Sequence, residues 1–403
     1  MANKQKRVLM LGGLRYLIPV IQAAHELGYY VITCDYLPDN IAHKYADEYH
    51  NISIIDKNAV LKLANELKVD GIMSFAVDPG VLTAAYVCEK LELPGNPYTS
   101  VQILQNKDLF REFLEKNGFN TPKARGYHHL NEALTDIQLF QWPVIVKPVD
   151  SAGSKGVSRV DKITDLGGAI NYALQNSLSH RFVIEEFIEK QGYSSDSDAF
   201  SINGELKFIS FSDQYFDNKA ANPYTPSAYS WPSSIPNQKQ EELASEVQRL
   251  LQLLHMRTSI YNIETRIGKD GKAYIMEVSP RGGGNRLSEI LRYATDTDLI
   301  KNAVRAAVGE TISSIDPCKY NGYWSEVILH ADQTGIFKEI SIEQNMKENH
   351  IIEIDLWVQP GDVIHSFNGA NDAIGTLVLK FKNEQEQSSM MSCINSWVKI
   401  IIE

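Results

Sequence analysis

Short apolar runs and amphipathic stretches follow each other from residue 8 to residue 91, and this pattern predicts strands and helices in turn. The predicted strands are 8–11, 29–34 and 71–75, and the predicted helices include 58–68 and 79–91. Strand–helix alternation at this spacing is typical of a parallel sheet with helices on its faces. The first strand leads into Gly12–Gly13 without a G-x-G-x-x-G pattern, so we expect an α/β domain with no nucleotide of its own.

A second region begins after the break Pro94–Pro97. Its predicted helices are 100–117, 240–255 and 287–308, and its predicted strands are 142–147, 182–188, 259–267 and 272–278. Asn203–Gly204 is a typical two-residue turn and predicts a hairpin over 199–212. The stretch 213–236 is rich in Pro, Asn, Tyr and Ser, and we expect a long functional loop there.

A third region begins after Pro317, where the pattern becomes β-rich. Strands are predicted at 324–330, 351–358 and 375–381, followed by a helix at 385–397. These elements indicate a small α+β domain. The chain is therefore predicted to form three domains, with bounds 1–97, 98–312 and 313–403.

Composition excludes several classes of protein. The chain has 403 residues, 43% of them hydrophobic, which is enough for substantial cores and excludes global disorder. Its net charge of −11 argues against nucleic acid as the main partner, and no apolar run is long enough to span a membrane. The four cysteines are far apart, which indicates neither a zinc site nor a disulfide scaffold and favours the reducing cytoplasm.

Two glutamates on neighbouring predicted strands form the first candidate site. A hairpin centred on Asp270–Gly271 places Glu264 directly opposite Glu277 on one face, where like charges repel each other. A divalent cation between them would remove the repulsion, and carboxylate oxygens suit Mg²⁺. A solvated hairpin face remains the alternative.

A lysine followed by a loop of small residues forms the second candidate site. The apolar strand 142–147 ends in Lys147, and the Gly- and Ser-rich loop from Ser151 to Gly156 follows. Small residues let backbone N–H groups approach a phosphate closely. The loop lacks the Walker pattern and is also compatible with a surface turn. The strand 182–188 ends in acids, which could serve an adenine edge or simply be exposed to solvent.

Five segments together resemble the ATP-grasp superfamily of carboxylate–amine ligases. They are NKDLFREFLEKNGFNTP (106–122), WPVIVKPVDSAGSKGV (142–157), FVIEEFI (182–188), YNIETRI (261–267) and YIMEVSPRGGGNR (274–286). The resemblance implies an N-terminal α/β pre-ATP-grasp domain, a central ATP-grasp domain with its lid at about 122–190, and a C-terminal α+β domain.

The resemblance also implies a role for each matching residue. Those implied to contact ATP are Lys107, Lys147, Ser151, Gly153, Ser154, Gly156, Glu185, Glu186 and Ile188. Lys107 and Lys147 match the phosphate-binding lysines, and Ser151–Gly156 matches the lid loop. Glu185 matches the acid near the adenine amino group, with Glu186 and Ile188 as backbone contacts.

The metal ligands and the catalytic arginine follow from the same resemblance. Glu264 and Glu277 match the Mg²⁺ ligands, with Mn²⁺ as an alternative ion. Ser279 stands where the family usually has a third ligand, Asn, and a serine hydroxyl binds more weakly, so the number of metal ions stays open. Arg281 matches the arginine near the transferred phosphoryl group and the reacting carboxylate.

The implied activity is ATP-dependent joining of a small-molecule carboxylate to an amine through an acylphosphate, with an amino acid or dipeptide-type product as one option. A homodimer is one possible assembly. Two alternatives stay open: a carboxylase-like enzyme that activates bicarbonate, and an ATP-binding protein of this fold without catalysis.

Overall fold

The computed structural model describes residues 5–151 and 153–403. The N-terminal region contains β1 (Arg7–Leu11), α1 (Ile18–Glu26), β2 (Tyr30–Cys34), β3 (Glu48–His50), α2 (Lys57–Leu67), β4 (Gly71–Ser74) and α3 (Asp78–Lys90). Its four strands form a parallel sheet in the order β3-β2-β1-β4. β1 and β2 lie in the centre of this sheet and are almost entirely buried, as expected for strands covered by helices on both faces. The predicted parallel-sheet domain is confirmed.

The next region begins with two helices and continues into a small antiparallel sheet. It contains α4 (Tyr98–Gln105), α5 (Lys107–Lys116), β5 (Ala124–Tyr127), α6 (Leu130–Asp136), β6 (Val144–Pro148), β7 (Ser158–Val160), α7 (Leu166–Gln175) and β8 (Phe182–Glu186). The sheet order is β5-β8-β6-β7, and α7 packs on it over a hydrophobic core of its own. This unit lies within the range 122–190 in which a lid was predicted.

A second antiparallel sheet follows in the chain. The region contains β9 (Ser195–Ile202), β10 (Glu205–Ile209), β11 (Asp213–Phe216), β12 (Pro226–Trp231), α8 (Asn237–Leu253), β13 (Ser259–Ile267), β14 (Ala273–Ser279), α9 (Leu287–Thr295) and α10 (Leu299–Ala307). The order β10-β9-β13-β14 confirms the hairpin predicted around Asn203–Gly204. α8 buries one apolar face against this sheet.

The C-terminal region completes a third antiparallel sheet and adds a small fourth one. It contains β15 (Tyr323–Leu329), β16 (Gly335–Ile342), α11 (Gln344–Asn349), β17 (Ile351–Leu356), β18 (Val363–Ile364), β19 (Gly375–Phe381), α12 (Glu384–Met391), α13 (Ile394–Trp397) and β20 (Val398–Ile402). The sheets have the orders β11-β12-β15-β19-β17 and β18-β16-β20. The predicted α+β character is confirmed. None of the described helices combines the length and apolar character that crossing a bilayer requires.

The predicted loop at 213–236 is wrong, because β11 and β12 lie within it. β12 is a buried strand between β11 and β15, and the Ser230 and Ser325 hydroxyl groups are 2.8 Å apart across the β12–β15 pair. Local composition concealed this strand because its serines and tyrosine find their partners in a segment far along the chain.

Three predicted helices are each divided in two. The first divides at Asn106, which is extended with φ −114° and ψ 112°, giving α4 and α5. The second divides at Asp296, which has φ 59°, and α10 restarts where the Asp298 side chain accepts a hydrogen bond from the N–H of Lys301. The third gives α12 and α13. Asparagine and aspartate tolerate these conformations and favour helix ends.

Candidate functional site

Glu264 and Glu277 are direct cross-strand partners in the β13–β14 ladder. The loop from Gly268 to Lys272 has five residues, and this odd length alone would offset the two glutamates. One extra residue in β14, Met276, forms a bulge that restores the pairing. The predicted juxtaposition is therefore correct, although two opposing irregularities produce it.

The paired glutamates lie between cationic side chains. Arg266 Nη2 is 3.7 Å from Glu264 Oε1, and Lys107 Nζ is 3.5 Å from Glu277 Oε2. Burial raises the pKa of Glu264, and the facing Glu277 raises it further against the opposing effect of Arg266. Two carboxylates crowded together in this way are a donor set that fits a hard divalent cation.

A buried ion cluster lies beside this pair, on β6, β8 and α5. Glu185 receives Lys147 Nζ at 2.6 Å on one oxygen and Arg111 Nε at 2.9 Å on the other. Arg111 also donates to the carbonyl of Met276, the bulged residue, at 2.8 Å. Burial opposes ionisation of Glu185, but Arg111 and Lys147 lower its pKa to about 2. The cluster therefore fixes Lys147 on the side of the paired glutamates.

Arg111 was missed by sequence reasoning, and so was the pairing of Glu185 with two cations. Arg111 follows Lys107 by one helical turn, so the two side chains share a face of α5. That spacing was the available signal. The predicted place of Glu185 beside an adenine amino group stays a prediction, since both its oxygens are engaged by cations here.

Lys107 connects the predicted lid loop to the paired glutamates. Its Nζ donates to the Ser151 carbonyl at 2.8 Å and also approaches Glu277. Further along the loop, Gly153 and Gly156 have φ of +67° and +74°, which glycine adopts without strain. The Ser154 hydroxyl donates to the Tyr224 carbonyl at 3.1 Å. Ala152, within the predicted loop, lies outside the described residues.

Glu186 is the last residue of β8, and Ile188 follows it by two residues. Glu186 accepts the Gln141 N–H on its side chain at 2.8 Å, and its own N–H donates to the Lys123 carbonyl at 2.9 Å. The Ile188 carbonyl accepts Arg266 Nη1 at 3.1 Å. Their predicted backbone contacts to adenine stay predictions, because protein groups occupy these particular atoms.

Arg281 binds an aspartate of the N-terminal region. Its Nε and Nη2 donate to the two oxygens of Asp78 at 2.9 and 2.6 Å, and its Nη1 donates to Asn262 at 3.1 Å. Burial by itself would raise the pKa of Asp78, but the Arg281 guanidinium outweighs this effect and holds the pKa below its usual value. Arg281 thus lies on the same face as the paired glutamates, as predicted. Its guanidinium binds both oxygens of Asp78, a partner that sequence reasoning missed.

Ser279 also points to Asp78. Its hydroxyl donates to Asp78 Oδ1 at 2.8 Å and accepts from Gln105 Nε2 at 3.0 Å. Ser279 pairs with Asn262, two residues along the ladder from the Glu264–Glu277 pair. Its role as a metal ligand stays a prediction, and the observed role of its hydroxyl is to hold Asp78.

Two further carboxylates extend the acidic surface onto β9. Asp196 pairs with Glu264 and Asp198 pairs with Asn262 in the β9–β13 ladder. Burial, then Glu264, raises the pKa of Asp196 to about 7, and burial raises the pKa of Asp198 to about 6. Sequence reasoning missed both, although the period-2 spacing in SDSD was the signal.

The site takes Lys147 and the paired glutamates from two four-stranded antiparallel sheets, and Asp78 from the N-terminal region. Residues 140–289 match a family model described as the ATP-grasp domain. This segment contains four of the five motifs and is similar to the ATP-grasp domain, as the sequence indicated.

Three comparisons describe its neighbours. The carbamoyl phosphate synthase large chain of Pseudothermotoga lettingae is 23% identical over 328 residues, which is 78% of this chain and 29% of that protein. The chain thus spans under a third of this curated relative. An L-amino acid ligase structure from Bacillus licheniformis has a TM-score of 0.83 at 21% identity, with 100% of both chains covered. The biotin carboxylase domain of a Hydrogenobacter thermophilus carboxylase, with MgADP, ADP and bicarbonate, has a TM-score of 0.75 at 17% identity, covering 98% of this chain and 91% of that one. These structural likenesses establish the fold.

Proposed function

We propose that the protein is an ATP-dependent ligase that activates a carboxylate as an acylphosphate and joins it to an amine. The observation that carries this proposal is the position of Lys107, whose Nζ contacts both the Ser151 carbonyl of the lid loop and the Glu277 carboxylate. A phosphate-binding loop, a lysine and a paired carboxylate site thereby meet at one point. That combination suits a triphosphate with its cation.

Each group in this cluster has a role in holding ATP. Lys107 and Lys147 supply positive charge to the phosphates, and the N–H groups around Gly153 and Gly156 line the lid loop. Glu264 and Glu277 would hold Mg²⁺, or Mn²⁺, with Ser279 as a further candidate ligand. The ion would neutralise charge on the phosphate oxygens. The end of β8, at Glu186 and Ile188, would face the adenine.

The proposed reaction has two steps. A carboxylate oxygen of the first substrate attacks the γ-phosphorus of ATP, and ADP leaves. The amine nitrogen of the second substrate then attacks the acyl carbon and loses a proton, and phosphate leaves. The protein's contribution is to position the groups and neutralise charge. Arg281 lies next to this region and would orient the reacting carboxylate after exchange of its contact with Asp78.

The proposal is tested by measuring ADP release from Mg²⁺-ATP with small carboxylates and amines, singly and in pairs. We expect turnover with one acid–amine pair and none with ATP alone. Glu277→Gln, which keeps the size of the side chain and removes one charge, should fold and lose this turnover. ATP binding without turnover across the whole panel would instead identify a non-catalytic protein of this fold.

Activation of bicarbonate is the second candidate. It is supported by the likeness to a carbamoyl phosphate synthase and to a biotin carboxylase domain whose structure contains bicarbonate. ADP release with bicarbonate as the sole acid would favour this function. Unchanged rates after exhaustive removal of bicarbonate would exclude it and leave the carboxylate–amine ligase.

A further inference from the structure

Three polar side chains form a row on one face of the five-stranded sheet. Gln214 on β11 pairs with Tyr229 on β12, and Tyr229 pairs with Glu326 on β15. Direct partners in adjacent strands point to the same face, so the three side chains lie side by side. All three are at least 96% buried.

Three acceptor atoms of this row, on Gln214 and Glu326, lack a hydrogen-bond donor among the described residues. Neither carboxylate oxygen of Glu326 has a partner within residues 5–151 and 153–403, and the same holds for Gln214 Oε1. A buried carboxylate without a donor is strongly unfavourable, and native structures rarely leave one so. Three such acceptors in one row indicate a place where a donor belongs.

The nearby cationic side chain is committed to other acids. Arg286 lies at the start of α9. Its Nη2 is 3.1 Å from Glu289 Oε1 and 2.8 Å from Glu353 Oε1, and its Nη1 donates to the Thr376 hydroxyl at 3.2 Å. Burial raises the pKa of Glu326 well above its usual value despite Arg286, and Glu289 raises it further. Arg286 therefore does not donate to Glu326, whose missing partner is a hydrogen-bond donor; a cationic N–H donor would also favour the ionised carboxylate.

The row is connected to the proposed reaction centre. The Tyr229 hydroxyl donates to Asp196 at 3.1 Å, and Asp196 is the cross-strand partner of Glu264. On the other side, Asn285 Nδ2 is 3.5 Å from the Tyr229 hydroxyl, and the hydroxyl of Tyr16 donates to Asn285 at 3.3 Å. One tyrosine thus separates the metal carboxylates from the unpartnered acceptors.

We propose that Gln214 and Glu326 bind the ammonium group of a substrate, so that at least one substrate of this enzyme is a primary or secondary amine held as its cation. This inference rests on the proposed ligase function. An ammonium group supplies the N–H donors and the charge that the row lacks. It would come either from the acid substrate, which is then an amino acid, or from the amine that is joined to it.

The two sources are separated by substrate pairs that differ in one group. ADP release is measured with each proteinogenic amino acid and with its des-amino carboxylic acid, in the presence of a fixed amine, and then with the amine varied. If the acid substrate carries the ammonium, the des-amino acid should lower kcat/KM by about 10- to 100-fold, the range of one charge-assisted hydrogen bond. If the amine substrate carries the ammonium group, the des-amino acid should react normally, and the KM for the amine should rise in Glu326→Gln.

The matching variant is Glu326→Gln, with Gln214→Leu as a second test. Glu326→Gln replaces the buried ionisable group by a neutral amide of the same size, so the protein should fold with equal or higher thermal stability. The KM for the ammonium-bearing substrate should rise about 10- to 100-fold while the KM for ATP stays unchanged. Glu386→Gln, on the surface helix α12, is the matched control and should leave both constants unchanged.

Failure of the inference and failure of the proposed function give different results. Turnover that is equal with des-amino acids, together with unchanged KM values in Glu326→Gln, would overturn the inference and leave the ligase standing. If no ADP is released, thermal shift without ATP still decides, because amino acids or amines should stabilise the wild type and not Glu326→Gln. Stabilisation of the wild type alone by potassium ion, or no stabilisation at all, would also overturn the inference.

Discussion

Removal of the Arg111 guanidinium should destabilise the folded protein far more than an ordinary surface change. In Arg111→Met, Glu185 keeps Lys147 but loses its Nε donor at 2.9 Å, and the Met276 carbonyl loses its donor at 2.8 Å. Removing one partner from a buried ion cluster costs about 3–5 kcal/mol. A carboxyl whose pKa falls from 4.5 to about 2 on folding contributes a similar ~3 kcal/mol at neutral pH.

The lowered pKa of Glu185 also predicts how the free energy of unfolding changes with pH. Because the pKa of Glu185 is lower in the folded protein, its contribution is complete above pH 4.5 and disappears as the pH falls towards 2. The free energy of unfolding of the wild type should therefore decrease through this interval. In Arg111→Met the decrease should be shallower, because the folded-state pKa of Glu185 moves back towards its usual value.

Urea unfolding at pH 7 and at several values from pH 5 to pH 3 measures both effects. Lys116→Met is the control, since Lys116 lies on the same helix in an exposed pair with Glu112. This control should change the free energy of unfolding by less than about 0.5 kcal/mol. A loss below about 1 kcal/mol in Arg111→Met would refute the assignment of the cluster as a buried ion site.

Three other changes have definite expected outcomes. Lys147→Ala should weaken ATP binding at least about 10-fold by isothermal titration calorimetry, as expected for a charged phosphate contact. Glu277→Gln should keep or slightly raise the apo-protein's melting temperature through lost repulsion, while Mg²⁺-dependent ADP release falls by about 10²-fold; equal turnover would exclude the metal site. The lysine in Arg281→Lys cannot hold both oxygens of the reacting carboxylate, so kcat should fall much more than ATP affinity, and wild-type kinetics would contradict this.

Local sequence pattern was enough for the elements whose partners are close in the chain. The β13–β14 hairpin is a good example, because alternation and the turn at Asp270–Gly271 placed Glu264 opposite Glu277. The pattern did not reveal that the loop is odd and that Met276 forms a bulge. The position of this bulge depends on the pairing with β13 and on the hydrogen bond from Arg111 to the Met276 carbonyl. Neither contact can be read from the sequence around Met276.

Contacts between distant segments were beyond the sequence pattern. Arg281 and Asp78 are 203 positions apart, and Asp78 looked only like the acidic start of a helix. β12 depends on β15 in the same way, with 95 positions between Ser230 and Ser325. Their burial is decided by tertiary pairing, which overrides the loop-like composition around them.

The same long-range pairing has a consequence for the predicted boundary at residue 313. The five-stranded sheet takes β11 and β12 from before this point and β15, β17 and β19 from after it. Glu326 and Tyr229, which face each other in that sheet, therefore belong to segments assigned to different predicted domains. Together with the Arg281–Asp78 pair, this means that all three regions of the chain supply side chains around the paired glutamates. If the proposed site is correct, a change that breaks either of these contacts should alter substrate affinity as well as stability.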